Sequence, residues 1–508
     1  MAKKKGERHV EKGPQRPTEC DLDGGYRSPI VSLKDLTPEK IQDTIIGSRY
    51  AQTLILLTII GLFLRFYNLG FNSLWLDEAS TYTISTNSFS QIWHVTAAGE
   101  FNPPLFYWIE HVMLMFGNSE VILRFVPAVV GVLTIPLIYC VGKEFMDRNV
   151  GIIAAAAFAF SPFLVYYSQE ARAYLMMLFF VVFAMIFYLK ALKDNRILNW
   201  VLFGLLSALA FWSHFYAFAI IASLVLYALA VQVPDLRQNI RKIGMVVLSV
   251  VVFSVVCFPL VIVGLHLFAT RTASAPTFGI EGFDVIYQTF IQVAGFNELV
   301  MYLLLLLFIA GIIQAFLIDR NKGWFLVSLT VLTFVISIFL SYRMPMVPRY
   351  LIFFAAIFFI GVAVSYRLLY SLVNNKGVVY GFLLLMVIVN APVLAGYYSG
   401  YTKEDWRGFS TQMQQTAKPG DFIVLVPGYI AQPFDYYYTN RSFGTIEFGA
   451  TTAKDLDAIN GQKANNTIYY IVTSDIYSAN PAGDALAWLK NNTKPVGQDT
   501  GIALFVSS

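Results

Sequence analysis

The chain has 508 residues, of which 57% are apolar, 16% aromatic and only 13% charged, with a formal net charge of +4. Soluble globular domains carry about 25% charged residues. Together with a mean hydropathy of +0.59, this composition excludes a soluble enzyme on a single membrane tether, a disordered chain and a disulfide scaffold, and assigns most of the protein to lipid.

Residues 1–47 are polar, and residues 1–50 hold ten Lys/Arg, beginning with the run Lys3–Lys5. Almost fifty residues pass before the first apolar run, which is not the layout of a signal peptide. The segment reads as a cytoplasmic, largely disordered tail with a short amphipathic helix over 32–46. Cys20 lies in this polar stretch, while Cys140 and Cys257 lie inside apolar runs, a distribution that predicts neither a disulfide nor a thiolate metal site.

Residues 48–399 form a series of apolar runs, each near the length a helix needs to cross ~30 Å of hydrocarbon. Eleven spans are predicted, near 51–67, 121–141, 150–167, 174–189, 199–212, 215–233, 243–265, 299–318, 324–341, 350–366 and 378–397, the fifth and sixth divided at Ser213-His214. With the N-terminus in the cytoplasm, the five inner loops hold twelve Lys/Arg, whereas the segment 66–120, assigned outside, holds none and carries Asp77, Glu78, Glu100, Glu110 and Glu120. That asymmetry is the positive-inside signature. It predicts a multi-pass protein of the cell membrane whose C-terminus lies outside.

The first outer loop, 68–120, is too long for a simple turn. Its stretch 102–117 opens on Pro103-Pro104 and continues in a helical pattern, with Glu110 and His111 polar against Leu105, Trp108, Met113 and Phe116. It reads as an interfacial helix, because a crossing there would invert the charge balance of every later loop.

Residues 400–508 return to soluble composition. Strand-like runs at 421–426, 467–472 and 501–506 alternate with helix-like segments near 404–417 and 482–491, the pattern of a small extracytoplasmic α/β domain. The sequons at Asn440, Asn465 and Asn491 are compatible with an external position.

Candidate chemistry gathers on the outer face. Asp77 and Glu78 follow Trp75 where the chain leaves the first span; a carboxylate beside low-dielectric surroundings makes a better base. The bland alternative is a pair of solvated acids. Arg124, Arg172, Arg271, Arg343 and Arg349 run against the positive-inside rule, and each alone reads as headgroup snorkelling or pairing with an acid such as Glu170. Together, guanidinium forks facing an acidic loop suggest a site that holds a lipid phosphate beside a carboxylate. Arg65 reads as a snorkelling end of span one, and His214 as a satisfied core histidine more than a cavity residue. His94 and His266 have no ligand spacing, and there is no P-loop, no dinucleotide fingerprint and no basic-aromatic patch for nucleic acid.

The ordered set Trp75-Leu-Asp77-Glu78, Asn102-Pro-Pro-Leu105, a span opening with Arg124, and Ser168-Gln-Glu170-Ala-Arg172-x-Tyr174 resembles the polyprenyl-phosphate-sugar glycosyltransferases of the C-type fold. The branch it most resembles contains the dolichyl-phosphate-mannose protein mannosyltransferases and the aminoarabinose lipid A transferases. The resemblance is strong over roughly 50–240 and extends beyond only by layout, with Glu404-Asp405-Trp406-Arg407 and Pro419-Gly420-Asp421 similar to the family's outer tail. It implies an all-α polytopic membrane protein and inverting transfer of a sugar from a polyprenyl (dolichyl or undecaprenyl) monophosphate to a hydroxyl of a protein, glycan or lipid. Asp77 would be the general base and Glu78 an orienting or acceptor-binding neighbour. Arg124, Glu170, Arg172, Arg271, Arg349 and Tyr350 would serve the donor phosphate. No cofactor is implied firmly, a divalent ion on Asp77 and Glu78 staying open. Eukaryotic protein mannosyltransferases insert a lumenal β-trefoil that this chain has no room for, which leaves the acceptor open. The rivals are a lipid-linked oligosaccharide transferase or ligase and, more remotely, a transporter or flippase, although the inverted halves of a transporter are not visible.

Overall fold

The computed structural model describes residues 20–30, 35–100, 102–232, 236–271, 278–438, 444–462 and 466–507. Thr37 caps Pro38–Gly47 (α1), and Ser48 accepts from the Ala51 amide to cap Arg49–Phe66 (α2), the first apolar helix. The tail expected to be free is tied down from residue 20. Cys20 and Leu22 are buried, Asn149 Nδ2 donates to the Cys20 carbonyl at 2.7 Å, and Asp23 pairs with Arg148 at 3.0 Å. Residues 1–19 and 31–34 lie outside the described residues, so the helix expected over 32–46 is seen from Pro38.

The long first loop, expected outside, carries Leu76–Ser85 (α3), Phe89–Ala98 (α4), started by a Ser88–Gln91 capping box, and Leu105–Met113 (α5), which occupies the stretch expected to be an interfacial helix. The apolar helices follow as Glu120–Phe145 (α6), Arg148–Phe160 (α7), Pro162–Ser168 (α8), Tyr174–Asp194 (α9), Ile197–Ser213 (α10), Ala217–Gln232 (α11) and Leu236–Arg271 (α12). A short unpredicted helix, Asp284–Val293 (α13), precedes Glu298–Ile318 (α14), Arg320–Ser341 (α15), Phe354–Val364 (α16), Tyr366–Val373 (α17) and Gly377–Tyr397 (α18). Every expected span has its helix. Among the described residues eight are long and apolar enough to cross a membrane alone, and the α7–α8 pair, bent by 58°, makes nine. At 17 and 16 residues, α10 and α11 fall short of the ~20 that a straight crossing takes.

In lipid, helices gain no hydrophobic drive from one another, so small residues and internal polar contacts decide how they pack. A Cβ on Gly142 of α6 would come 2.7 Å from the Gly151 Cα of α7, and one on Gly311 of α14 would overlap the Gly361 carbonyl of α16. Arg65, expected to snorkel, is instead buried at the α7–α8 bend. Pro162 has no N–H to give the Phe158 carbonyl, and the Arg65 guanidinium donates to that oxygen at 2.8 Å and to the Ala159 carbonyl at 3.2 Å. The sequence hid this because the acceptors lie some ninety residues away.

The C-terminal domain runs Trp406–Thr416 (α19), Phe422–Val426 (β1), Ala431–Tyr437 (α20), Ile446–Gly449 (β2), Ala453–Asn460 (α21), Ile468–Thr473 (β3), Ile476–Ala479 (α22), Asp484–Asn492 (α23), Thr493–Asp499 (β4) and Ile502–Ser507 (β5). Its sheet order is β2-β1-β3-β5-β4, with the first three strands parallel and the hairpin β4–β5 antiparallel. Buried on both faces, β1 and β3 read as continuous apolar runs, which is why they were legible. The half-exposed β2 and the polar β4, bulged at Pro495–Gly497, were not. Asn440 and Asn465 lie outside the described residues; Asn491 is exposed at the end of α23.

Polar contacts fasten this domain to the long first loop. Ser73 Oγ donates to Asp405 Oδ1 at 2.9 Å, the Thr402 amide to Asn72 Oδ1 at 2.9 Å, and Tyr437 Oη to Glu120 Oε1 at 2.7 Å.

Candidate active site

Asp77 and Glu78 both fall in the first turn of α3, where the helix dipole favours carboxylates. Adjacent helical residues point about 100° apart, and the two side chains enter different surroundings. Glu78 is fully buried. Its Oε1 accepts from Arg124 Nε at 2.7 Å and the Ala171 amide at 2.8 Å, its Oε2 from Arg124 Nη2 at 2.7 Å and Lys403 Nζ at 2.9 Å. Those four bonds fill its acceptor sites. Burial opposes its ionisation, and the Arg124 and Lys403 charges outweigh that, holding the carboxyl down to about 2.

Arg124 is equally saturated. Beyond Glu78 it donates to the carbonyls of Leu69 (3.0 Å), Asn72 (2.8 Å) and Ser73 (3.0 Å), so all five of its N–H groups are engaged. Two expectations are corrected here: Glu78 has no lone pair left for an acceptor, and Arg124 no donor left for a phosphate. Both hold the loop in shape. The same geometry tests the divalent ion left open above. With Glu78 filled, the adjacent carboxylates cannot chelate one together, and this residue pair does not fit a metal.

Asp77 faces outward, its side chain 25% exposed. Its Oδ2 lies 3.3 Å from Arg349 Nη2 and 4.0 Å from Arg172 Nε. Arg172 also reaches the Asp77 carbonyl at 3.2 Å and Thr81 Oγ1 at 3.4 Å; Arg349 Nε donates to Tyr174 Oη at 3.1 Å and lies over the Trp75 ring at 5.3 Å. The structure therefore gathers Asp77, Arg172 and Arg349, from the long first loop, the α8–α9 turn and the α15–α16 loop. Tyr350 lies one step behind, stacked on Tyr216 at 4.8 Å and beside His214 at 5.0 Å. His214 is a core residue, its Nδ1 accepting from the Tyr216 amide at 3.3 Å.

Glu170 is placed differently from its expected part in donor binding. It is 1% exposed and walled off from solvent, 3.6 Å from Lys403, with neither oxygen hydrogen-bonded among the described residues. Burial, and then the charges of Glu78 and Asp77, raise its carboxyl above the usual range against the lowering effect of Lys403. Arg343 is exposed, and the Arg271 side chain lies outside the described residues. Lys403, which bridges the two buried acids, was missed. It sits 325 residues from Glu78, and no local spacing announces such a contact.

Comparison with known proteins agrees with this architecture. Residues 102–262 match the family model described as dolichyl-phosphate-mannose-protein mannosyltransferase. A protein of Aquifex aeolicus (strain VF5), described as uncharacterized, is 26% identical over 162 residues, spanning 29% of this chain and 31% of that relative; the match thus covers about a third of the relative's length. Among solved structures, ArnT from Cupriavidus metallidurans in the apo state superposes with a TM-score of 0.62 at 14% identity, over 90% of this chain and 98% of ArnT. The same protein bound to undecaprenyl phosphate gives 0.56 at 15%, over 89% and 97%. The oligosaccharyltransferase AglB of Archaeoglobus fulgidus, in complex with an inhibitory peptide and a dolichol-phosphate, gives 0.55 at 15%, over 91% and 75%. The chain has the membrane-embedded fold these transferases share, and over residues 102–262 it matches the dolichyl-phosphate-mannose-protein mannosyltransferase family model.

Proposed function

We propose that this protein is an integral-membrane inverting glycosyltransferase that moves a sugar from a polyprenyl monophosphate to a hydroxyl acceptor on the outer face of the cell membrane. The observation that carries the reading is the partly exposed Asp77 carboxylate, flanked by Arg349 and Arg172. Asp77 takes the proton of the acceptor hydroxyl as that oxygen bonds to the anomeric carbon. The bond from that carbon to the phosphate oxygen breaks on the opposite side, and the polyprenyl phosphate leaves as an anion. A phosphate needs no general acid to depart, so one carboxylate suffices where a glycosidase uses two. Charge grows on the leaving phosphate, and two guanidinium groups already fixed in place favour that state over the ground state.

An apolar groove of about 330 Å³ between α10, α11, α12 and α15, lined by Phe211, Phe215, Tyr216, Phe253 and Phe268, offers a place for the lipid tail. Tyr216 stacks on Tyr350, the neighbour of Arg349, and so joins groove and charge. The undecaprenyl phosphate and dolichol-phosphate bound by ArnT and AglB support a lipid-phosphate donor. Charge asymmetry supports a cytoplasmic N-terminus, and the family-model match supports a mannosyltransferase-like enzyme that moves a hexosyl or pentosyl group.

The test is transfer by purified protein in lipid, with monophosphate- and diphosphate-linked sugars side by side. Turnover with the monophosphate alone is expected. Turnover with the diphosphate alone would favour the oligosaccharide-transferase reading, and turnover with neither would remove the assignment.

A further inference from the structure

Between the outer domain and the first outer loop lies a cleft of about 440 Å³ that the chemistry above does not use. Its size is within the ~300–1,000 Å³ of small-molecule sites. Trp75 and Tyr401 line it with Lys403 and Glu404, and the Thr500–Gly501 turn between β4 and β5 flanks it.

Three observations give it a character. First, it shares a wall with the reaction centre: Trp75 stands two residues before Asp77, and the guanidinium paired with Asp77 lies over its ring. Second, Glu404 is half-buried, and its neighbour Lys403 is committed to Glu78 and Glu170, which leaves Glu404 without an ion pair among the described residues. Gly501 gives it room, at φ +87° and with a Cβ there falling 3.1 Å from Glu404 Cγ. Burial first, and then the Asp475 charge, raise the Glu404 carboxyl. Third, Phe71 and Tyr401 stack at 4.8 Å with an interplanar angle of 16°, yet stay 39% and 47% exposed.

A sugar ring has a C–H face that lies on aromatic rings and a rim of hydroxyls that donates to carboxylates. A lipid chain has no use for an unpaired carboxylate, and a peptide no need of a ring platform beside it. We propose that this cleft is the acceptor subsite and that the acceptor is a saccharide, its ring against Tyr401 and Trp75 and a hydroxyl on Glu404, with the attacking hydroxyl directed to Asp77. The proposal rests on the glycosyl-transfer reading and adds the class of its acceptor. Asp475, two residues beyond β3, has its carboxyl raised by burial first and then by the Asp77 charge.

The test is binding by full-length protein in nanodiscs, measured against an array of labelled oligosaccharides, a set of Ser/Thr peptides and, separately, undecaprenyl phosphate. Wild-type protein is expected to bind at least one oligosaccharide class. Tyr401→Ala and Glu404→Gln should each weaken it about tenfold, and Glu404→Asp should recover part. Gly501→Asn, at a left-handed position Asn tolerates, narrows the cleft from the other side and should give the same loss. Undecaprenyl phosphate binding should be equal in wild type and in the cleft variants. If no oligosaccharide binds, or the cleft variants bind it normally, the proposal is overturned while retained undecaprenyl phosphate binding leaves the donor reading standing. If saccharide binds and undecaprenyl phosphate does not, the donor reading fails and the cleft stands. Loss of peptide binding alone would put a peptide in the cleft and overturn the proposal.

Discussion

Arg124 meets Glu78 through two N–H···O bonds of 2.7 Å each, with side-chain exposures of 2% and 0%. This fork joins the start of α6 to the first turn of α3 and fixes the loop on which Asp77 is displayed. Of two consecutive carboxylates, one is thereby a structural anchor and the other stays partly exposed.

Breaking the fork strands a buried charge, which costs roughly 3–5 kcal/mol. Glu78→Gln and Arg124→Met should therefore lower the thermal unfolding temperature in detergent and lose activity together. Glu78 ionises in the folded protein at about 2, below its ordinary 4.5. Its contribution to stability is thus fully present above about pH 4.5 and is lost as pH falls toward 2. Unfolding temperature against pH should show that loss in wild type and not in Glu78→Gln.

Asp77→Asn keeps the size of the side chain and removes the base. Transfer should drop about 10²–10⁴-fold with the unfolding temperature near wild type. A variant with near-normal turnover would take Asp77 out of the base role.

Arg349 donates to Asp77 and Tyr174 and lies over Trp75. A lysine offers neither the fork nor the flat stacking face, so Arg349→Lys should lose most of the activity that Arg349→Ala loses. Titration with undecaprenyl phosphate should show weaker binding in both, and equal binding would exclude Arg349 from the phosphate.

Lys403 lies 2.9 Å from Glu78 and 3.6 Å from Glu170. Lys403→Met leaves two buried acids with one cation fewer and should destabilise the junction between the C-terminal domain and the long first loop. Adding Glu170→Gln removes one of those acids and should restore part of the loss. A double-mutant cycle on unfolding temperature reads this coupling, and strict additivity would show that Lys403 and Glu170 do not interact.

The helices were legible because their signal is local: apolar runs of membrane-crossing length, ended by polar loops, identify themselves without reference to the rest of the chain. The buried strands β1 and β3 were legible for the same reason. The short β2 and the bulged β4 were not, since pairing with neighbours distant in sequence sets their conformation. Asp77 stood out by its place after the first apolar run.

The amino-acid order thus determined by itself that the protein lies in the membrane, where its apolar helices fall, and that acids and arginines meet on one face. Only the tertiary structure decided which charge is used and which is free. Arg124, Arg65 and Glu78 look in sequence like reactive or snorkelling groups, yet they are enclosed by carbonyls and side chains that arrive from far along the chain. A charge taken out of water must find its partners wherever the fold brings them. Asp77 is the one the fold leaves partly in water.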